Sequence, residues 1–144
     1  MVQVNMPIMP EVLLTKLKVI HHPKGNILHA LKASEVSYCG FEEAYFTKIL
    51  HGEIKGWKKH NVMHMNLVVP IGMVLFYVYD EANNIMADYL IGIDNYCRLS
   101  VPPGYWVAFK GCASPESLVL NISNLEHNPA EAVNVDINSF PIPD

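Results

Sequence analysis

Residues 55–72 read Lys-Gly-Trp-Lys-Lys-His-Asn-Val-Met-His-Met-Asn-Leu-Val-Val-Pro-Ile-Gly. Three lysines and two histidines crowd into ten residues, and an apolar, β-branched run follows. Such a run reads as a strand, because Val and Ile pack well on a pleated surface. If that strand ran back without a break, Lys58, His60, His64 and Asn66 would share one face. Polar groups there have two readings. They form a solvated edge that discourages aggregation, or they form a site.

Working outward, the chain is a succession of short strands separated by turns. Strands are predicted over 13–20, 27–31, 41–49, 73–79, 85–93, 99–101, 105–109 and 117–122, with the focal stretch among them. Pro23 and Gly25, Asp80 to Asn84, Asp94-Asn95 and Pro102-Pro103-Gly104 mark turns. Asn128-Pro129-Ala130-Glu131 has the pattern of a capped first helical turn, with Asn as cap and Pro at the first position. Residues 1–11, with Pro7 and Pro10, read as an irregular arm of the kind that packs on a neighbouring subunit, and 138–144 as a Pro-rich surface tail. No amphipathic helix of three turns is apparent. About ten strands at roughly ten-residue spacing indicate a sandwich or barrel. The expected fold is a single all-β domain over residues 1–144, with a jelly roll as its leading form.

The 144 residues are 51% hydrophobic and 17% charged, the balance of a compact globular chain. A net charge of −4 supplies no overall basic field for nucleic acid or an anionic membrane. Lys55, Lys58 and Lys59 are the one dense basic run. No apolar window reaches the ~18 residues of a spanning helix, and the first residues lack a signal-peptide pattern. Cys39, Cys97 and Cys112 are odd in number and lack Cys-x-x-Cys spacing. They suit a reducing compartment, and the expected location is the cytoplasm.

Lys-Gly-Trp-x-x-His at 55–60, Gly72 at the following turn, and Pro-Pro-Gly-Tyr-Trp at 102–106 together resemble the cupin superfamily. Within it the chain is similar to dTDP-4-dehydrorhamnose 3,5-epimerases. The Ser-Leu-Val-Leu-Asn-Ile-Ser-Asn-Leu-Glu-His-Asn-Pro-Ala-Glu of 117–131 is similar to the closing segment of short, divergent members. The resemblance spans roughly residues 16–136, in line with single-domain size. It implies a double-stranded β-helix, sugar-nucleotide chemistry in bacterial polysaccharide or deoxysugar synthesis, and a homodimer. No cofactor is implied.

The family's reaction moves protons at carbons beside a 4-keto group, which takes a base, a partner for the enolate oxygen, and an acid. By the resemblance, the family's base histidine falls on Lys58, its enolate lysine near Met65, and its acidic tyrosine near Val119 or Leu120. The histidine usual after Pro-Pro-Gly is Val107. All three catalytic positions depart, so a non-standard set is expected. Imidazole titrates near neutrality, which suits His60 for a base. Lys58, if partly buried, suits base, shuttle or enolate partner. Tyr45, Tyr77 and Tyr79 are candidate acids, with Tyr45 placed in the catalytic set. Lys55 matches the family's arginine and is expected to hold the anionic part of the substrate. Trp57, His64, Asn66 and Trp106 complete the expected substrate-binding set, although each also has a packing or hydrogen-bonding reading. Asp136 is a further acid that could orient a base from the tail. Metal-dependent cupins need His-x-His, a Glu, and a later His; Lys58 and Val107 stand at two of these places, so no metal is expected. The expected activity is epimerisation or keto-isomerisation of a nucleotide-linked 4-keto-6-deoxyhexose. Non-catalytic binding of a sugar nucleotide is the alternative, and a metal-dependent enzyme the lesser one.

Overall fold

A computed structural model describes residues 11–143, so the predicted arm over 1–11 lies outside the described residues except for Glu11. The strands are β1 (Leu13–Lys16), β2 (Val19–Ile20), β3 (Ile27–Leu28), β4 (Glu43–Leu50), β5 (Ile54–His60), β6 (Met65–Ile71), β7 (Met73–Asp80), β8 (Ile85–Gly92), β9 (Cys97–Val101), β10 (Trp106–Gly111), β11 (Glu116–Ser123) and β12 (Ala132–Asn134). Two 3-10 turns, Pro129–Glu131 and Ile137–Ser139, flank β12, and Asn128 caps the first through its side chain. No α-helix occurs among the described residues.

Two five-stranded antiparallel sheets face each other, in the orders β1-β9-β6-β11-β4 and β12-β5-β10-β7-β8. Alternation along each strand sends one set of side chains between the sheets. Ile49, Met65, Leu67 and Val69 from the first sheet meet Val74, Phe76, Val78 and Val107 from the second. The outer face of the second sheet carries Trp57, Tyr77 and Trp106, covered by Val135, Ile137, Phe140 and Ile142 of the tail. The tail was expected to lie on the surface. Asn138, Ser139, Pro141 and Pro143 are exposed there, while Phe140 and Ile142 turn inward and cover that aromatic face.

The focal stretch is two strands, not one. Asn61 to His64 turn the chain between β5 and β6, and the polarity of faces inverts across them. Lys58 and His60 point between the sheets, as do Met65 and Leu67, while Asn66 lies on the outer side of the first sheet. The predicted strand over 13–20 is likewise broken at Leu17 and Lys18.

Gly72 joins β6 to β7 with φ +86°, and a Cβ there would stand 2.2 Å from Ser117 Oγ and 3.0 Å from Ser117 Cα. That hydroxyl accepts the Met73 N–H at 3.2 Å and donates to the Met73 carbonyl at 3.1 Å. Gly72→Ala is therefore expected to lose about 2–4 kcal/mol, from backbone strain plus overpacking. Urea unfolding measures it; a loss below about 0.5 kcal/mol, typical of a neutral surface change, would contradict this account.

Candidate active site

One end of the space between the sheets opens as a cavity of about 270 Å³. Met65, Leu67, Phe76, Val107, Phe109 and Val119 give it apolar walls; Tyr45, Thr47, Lys58, His60 and Asn121 supply its polar groups. β4 contributes Tyr45 and Thr47, β5 contributes Lys58 and His60, and β11 contributes Asn121.

His60 is buried, and its Nδ1 hydrogen-bonds Glu131 Oε1. Glu131 Oε2 accepts three successive backbone N–H groups, from Asn61 at 3.1 Å, Val62 at 3.0 Å and Met63 at 3.1 Å. Burial acts to raise the Glu131 carboxyl, but the His60 hydrogen bond, the Val62 and Met63 N–H groups and the nearby imidazole outweigh it. The carboxyl is held below its ordinary value, and so stays ionised. With Nδ1 committed to Glu131, Nε2 is the ring nitrogen left for a molecule in the cavity.

Lys58 is half-buried in these walls, and its ammonium makes no hydrogen bond or ion pair among the described residues. Tyr45 sits opposite Asn121 in the β4–β11 register, and Asn121 Nδ2 donates to the phenol oxygen at 3.0 Å. The phenolic proton is thereby left for another acceptor. A buried imidazole–carboxylate pair, an unpaired ammonium and a phenol thus line one apolar cavity.

Other sequence candidates lie elsewhere. Trp57 is 1% exposed on the outer side of β5, where its indole N–H donates to the Ile137 carbonyl at 3.0 Å and its ring meets Phe140 edge-on. Trp106 packs on Phe140 as well and donates to Glu81 Oε1 at 3.0 Å. Both tryptophans are therefore corrected from substrate contact to packing, since their strands turn them away from the cavity. Lys55 is exposed across a β-bulge, and its ammonium donates to the Lys48 carbonyl at 2.7 Å, stitching β5 to β4 instead of lining the cavity. His64 stands in the turn, its Nδ1 buried without a partner among the described residues; burial lowers its pKa and favours the neutral ring. Asn66 bonds the Ser37 carbonyl at 3.1 Å and accepts from Ser100 Oγ at 2.5 Å on the far side of the sheet. Neither His64 nor Asn66 reaches the cavity. Tyr77 and Tyr79 belong to the outer aromatic face. Asp136 caps the second 3-10 turn through Asn138 N–H at 2.8 Å, so the carboxylate set against His60 is that of Glu131.

Some cupins hold a metal. Among the described residues no three His, Cys, Asp or Glu side chains converge on a common point. His60 Nε2 is the one imidazole nitrogen the cavity lining offers, and Val107 stands where the resemblance puts the last ligand, so the donors are too few to fit a divalent ion.

No family model matches the sequence, and no curated protein matches it. Solved structures do. A dTDP sugar isomerase from Desulfovibrio desulfuricans G20 is 26% identical with a TM-score of 0.87, over 95% of this chain and 90% of that one. The dTDP-4-dehydrorhamnose 3,5-epimerase of Sulfolobus tokodaii is 17% identical with a TM-score of 0.82, over 96% and 84%. A sugar 3,4-ketoisomerase from Thermoanaerobacterium thermosaccharolyticum, solved in complex with TDP, is 13% identical with a TM-score of 0.75, over 88% and 89%. The chain has a cupin jelly-roll fold, all-β and antiparallel. That fold is the one found in dTDP-4-dehydrorhamnose 3,5-epimerases and related sugar isomerases.

A carboxyl whose folded pKa is depressed contributes stability that is present above its unfolded value and lost as pH falls through the folded one. Stability is expected to decline below pH 4.5, the ordinary carboxyl value, with Glu131 contributing alongside Glu35, which Arg98 lowers in the same way. Glu131→Gln is expected to cost about 1–3 kcal/mol near neutrality, by leaving buried groups unsatisfied, and to shrink the acid limb. Urea titrations across pH read both effects. An unchanged acid limb would mean that the Glu131 charge does not stabilise the fold.

Proposed function

We propose that the cavity binds a nucleotide-linked 4-keto-6-deoxyhexose and moves a proton at the carbons beside the ketone. The observation that carries this reading is the convergence of His60, Lys58 and Tyr45 on one apolar cavity. His60 Nε2 takes the proton from the carbon next to C4, and the electron pair of that C–H bond passes to the ketone oxygen. Lys58 holds the enolate oxygen, with its ammonium strengthened by the apolar walls. Tyr45 returns a proton to carbon. Return on the opposite face epimerises; after loss of the C3 proton, return at C4, with the proton of the C3 hydroxyl passing to the C4 oxygen, moves the ketone to C3. Glu131 keeps Nδ1 protonated and offsets the charge of the imidazolium. The similar structures, a dTDP sugar isomerase, a 3,5-epimerase and a sugar 3,4-ketoisomerase, support this substrate class.

The setting we infer is deoxysugar or polysaccharide synthesis in the cytoplasm. Three free cysteines support a reducing compartment, and no described helix is long and apolar enough to cross a membrane. A homodimer is supported by an uncovered apolar ladder on the outer face of the first sheet, where Phe46, 63% exposed, pairs with Leu120. Phe46→Lys is expected to shift the protein from dimer to monomer in light scattering; a dimer that persists would place the interface elsewhere.

Ring-proton NMR of dTDP-, GDP- and CDP-linked 4-keto-6-deoxyhexoses in D₂O tests the activity. Deuterium is expected at C3 or C5, with exchange falling about 100-fold or more in His60→Asn and in Lys58→Met. Tyr45→Phe is expected to slow reprotonation more than binding. Ligand binding without any exchange would replace the enzyme reading with that of a sugar-nucleotide binder.

A further inference from the structure

Glu131 lies 71 residues from His60, so something must bring the carboxylate to the ring. β12 begins one residue after Glu131 and adds to the edge of β5 in the register Ala132↔His60, Val133↔Lys59, Asn134↔Lys58. The pairing continues past β12, where Val135 and Trp57 exchange backbone hydrogen bonds at 3.1 and 3.2 Å. Because side chains alternate with period two, a slip of one residue would turn the tail over and carry Glu131 away from Nδ1. Three pairs in a short edge strand specify register weakly. Beyond them the tail is held by the Trp57 indole N–H on the Ile137 carbonyl, and by Phe140 set among Trp57, Tyr79 and Trp106 at centroid separations of 5.6, 4.8 and 5.3 Å.

We propose that Trp57 and Phe140 are positioning residues: by fixing the register of the tail against β5 from the outer face, they set the contact between Glu131 and His60 on the inner one. Trp57 and His60 are three residues apart on one strand, facing opposite sides of the sheet. The strand that carries the imidazole also grips the segment that carries its carboxylate. The packing of the tail and the chemistry of the cavity are therefore one mechanical unit. The kinetic consequence rests on the proposed keto-sugar reaction; the structural one does not.

The test compares wild type with Phe140→Ala and with Trp57→Phe, which keeps a ring but loses the N–H donor. The first readout needs no substrate: the His60 Nδ1–H proton resonance in ¹⁵N-histidine-labelled protein, assigned by its absence in His60→Asn. In folded variants we expect that resonance to broaden or vanish through exchange with water. The second readout is deuterium exchange into the keto-sugar, where kcat is expected to fall about tenfold, equivalent to a loss of about 1.4 kcal/mol of transition-state stabilisation, with KM little changed. A merely structural role would lower Tm but leave the resonance sharp and kcat intact in the folded fraction, and that result would overturn the proposal. If Phe140→Ala does not fold, the milder Trp57→Phe decides by the same readouts. Wild type that shows the resonance but exchanges no keto-sugar would sink the functional reading, while the resonance still decides the positioning role.

Discussion

A single buried carboxylate holds this molecule's working end together. Glu131 joins three things distant in sequence: the imidazole of His60, the N–H groups of the turn after β5, and the tail that becomes β12. Asn61 N–H also donates to the Glu131 carbonyl at 2.8 Å, and a charged acceptor satisfies the N–H groups at a strand end more strongly than a neutral one. The same charge that closes the turn fixes the tautomer of the ring. Structure and chemistry are coupled here because one side chain performs both tasks with its two oxygens.

The all-β architecture was legible in the chain because alternation and turn residues are local signals. Lys58 and His60 were correctly placed on one face, since period two holds within β5. The extrapolation failed at Asn61, where the turn resets the alternation and sends Asn66 to the opposite side. Glu131 was legible only as the third residue of a capped turn; its partner stands on another strand, and no spacing rule spans that distance. Trp57 and Trp106 were misplaced for a related reason. An aromatic on a strand fits a binding platform or a packed face equally well, and what decided between them was a tail whose apolar residues found that face.

In the proposed reaction, the positions at which the sequence departs from the epimerase pattern find their chemistry from neighbouring ones. A histidine two residues along β5 supplies an imidazole where the resemblance put Lys58. Lys58 supplies an ammonium where the resemblance put Met65, which lines the same cavity. A phenol arrives from β4, opposite Asn121, instead of from β11. A barrel allows this because adjacent strands offer side chains to the same interior, so a functional group can change strands and remain within reach of one ligand.

Two buried polar clusters in the protein show how a site differs from scaffolding. On the outer side of the first sheet, Arg98 spends its terminal nitrogens on the Ala30 carbonyl, Glu35 and Ser37, while Ser37, Asn66 and Ser100 bond one another. That cluster is nearly closed, and it ties the segment around residues 30–37 to β9 and β6. In the cavity the balance is opposite. Among the described residues Lys58 makes no hydrogen bond, His60 keeps one nitrogen for a ligand, and Asn121 Oδ1 is buried in the cavity lining without a partner, although burying an unpaired polar group is unfavourable. Capacity left open in this way is what a bound ligand would complete, and it is the physical reason for locating function inside the barrel and not on its polar outer layer.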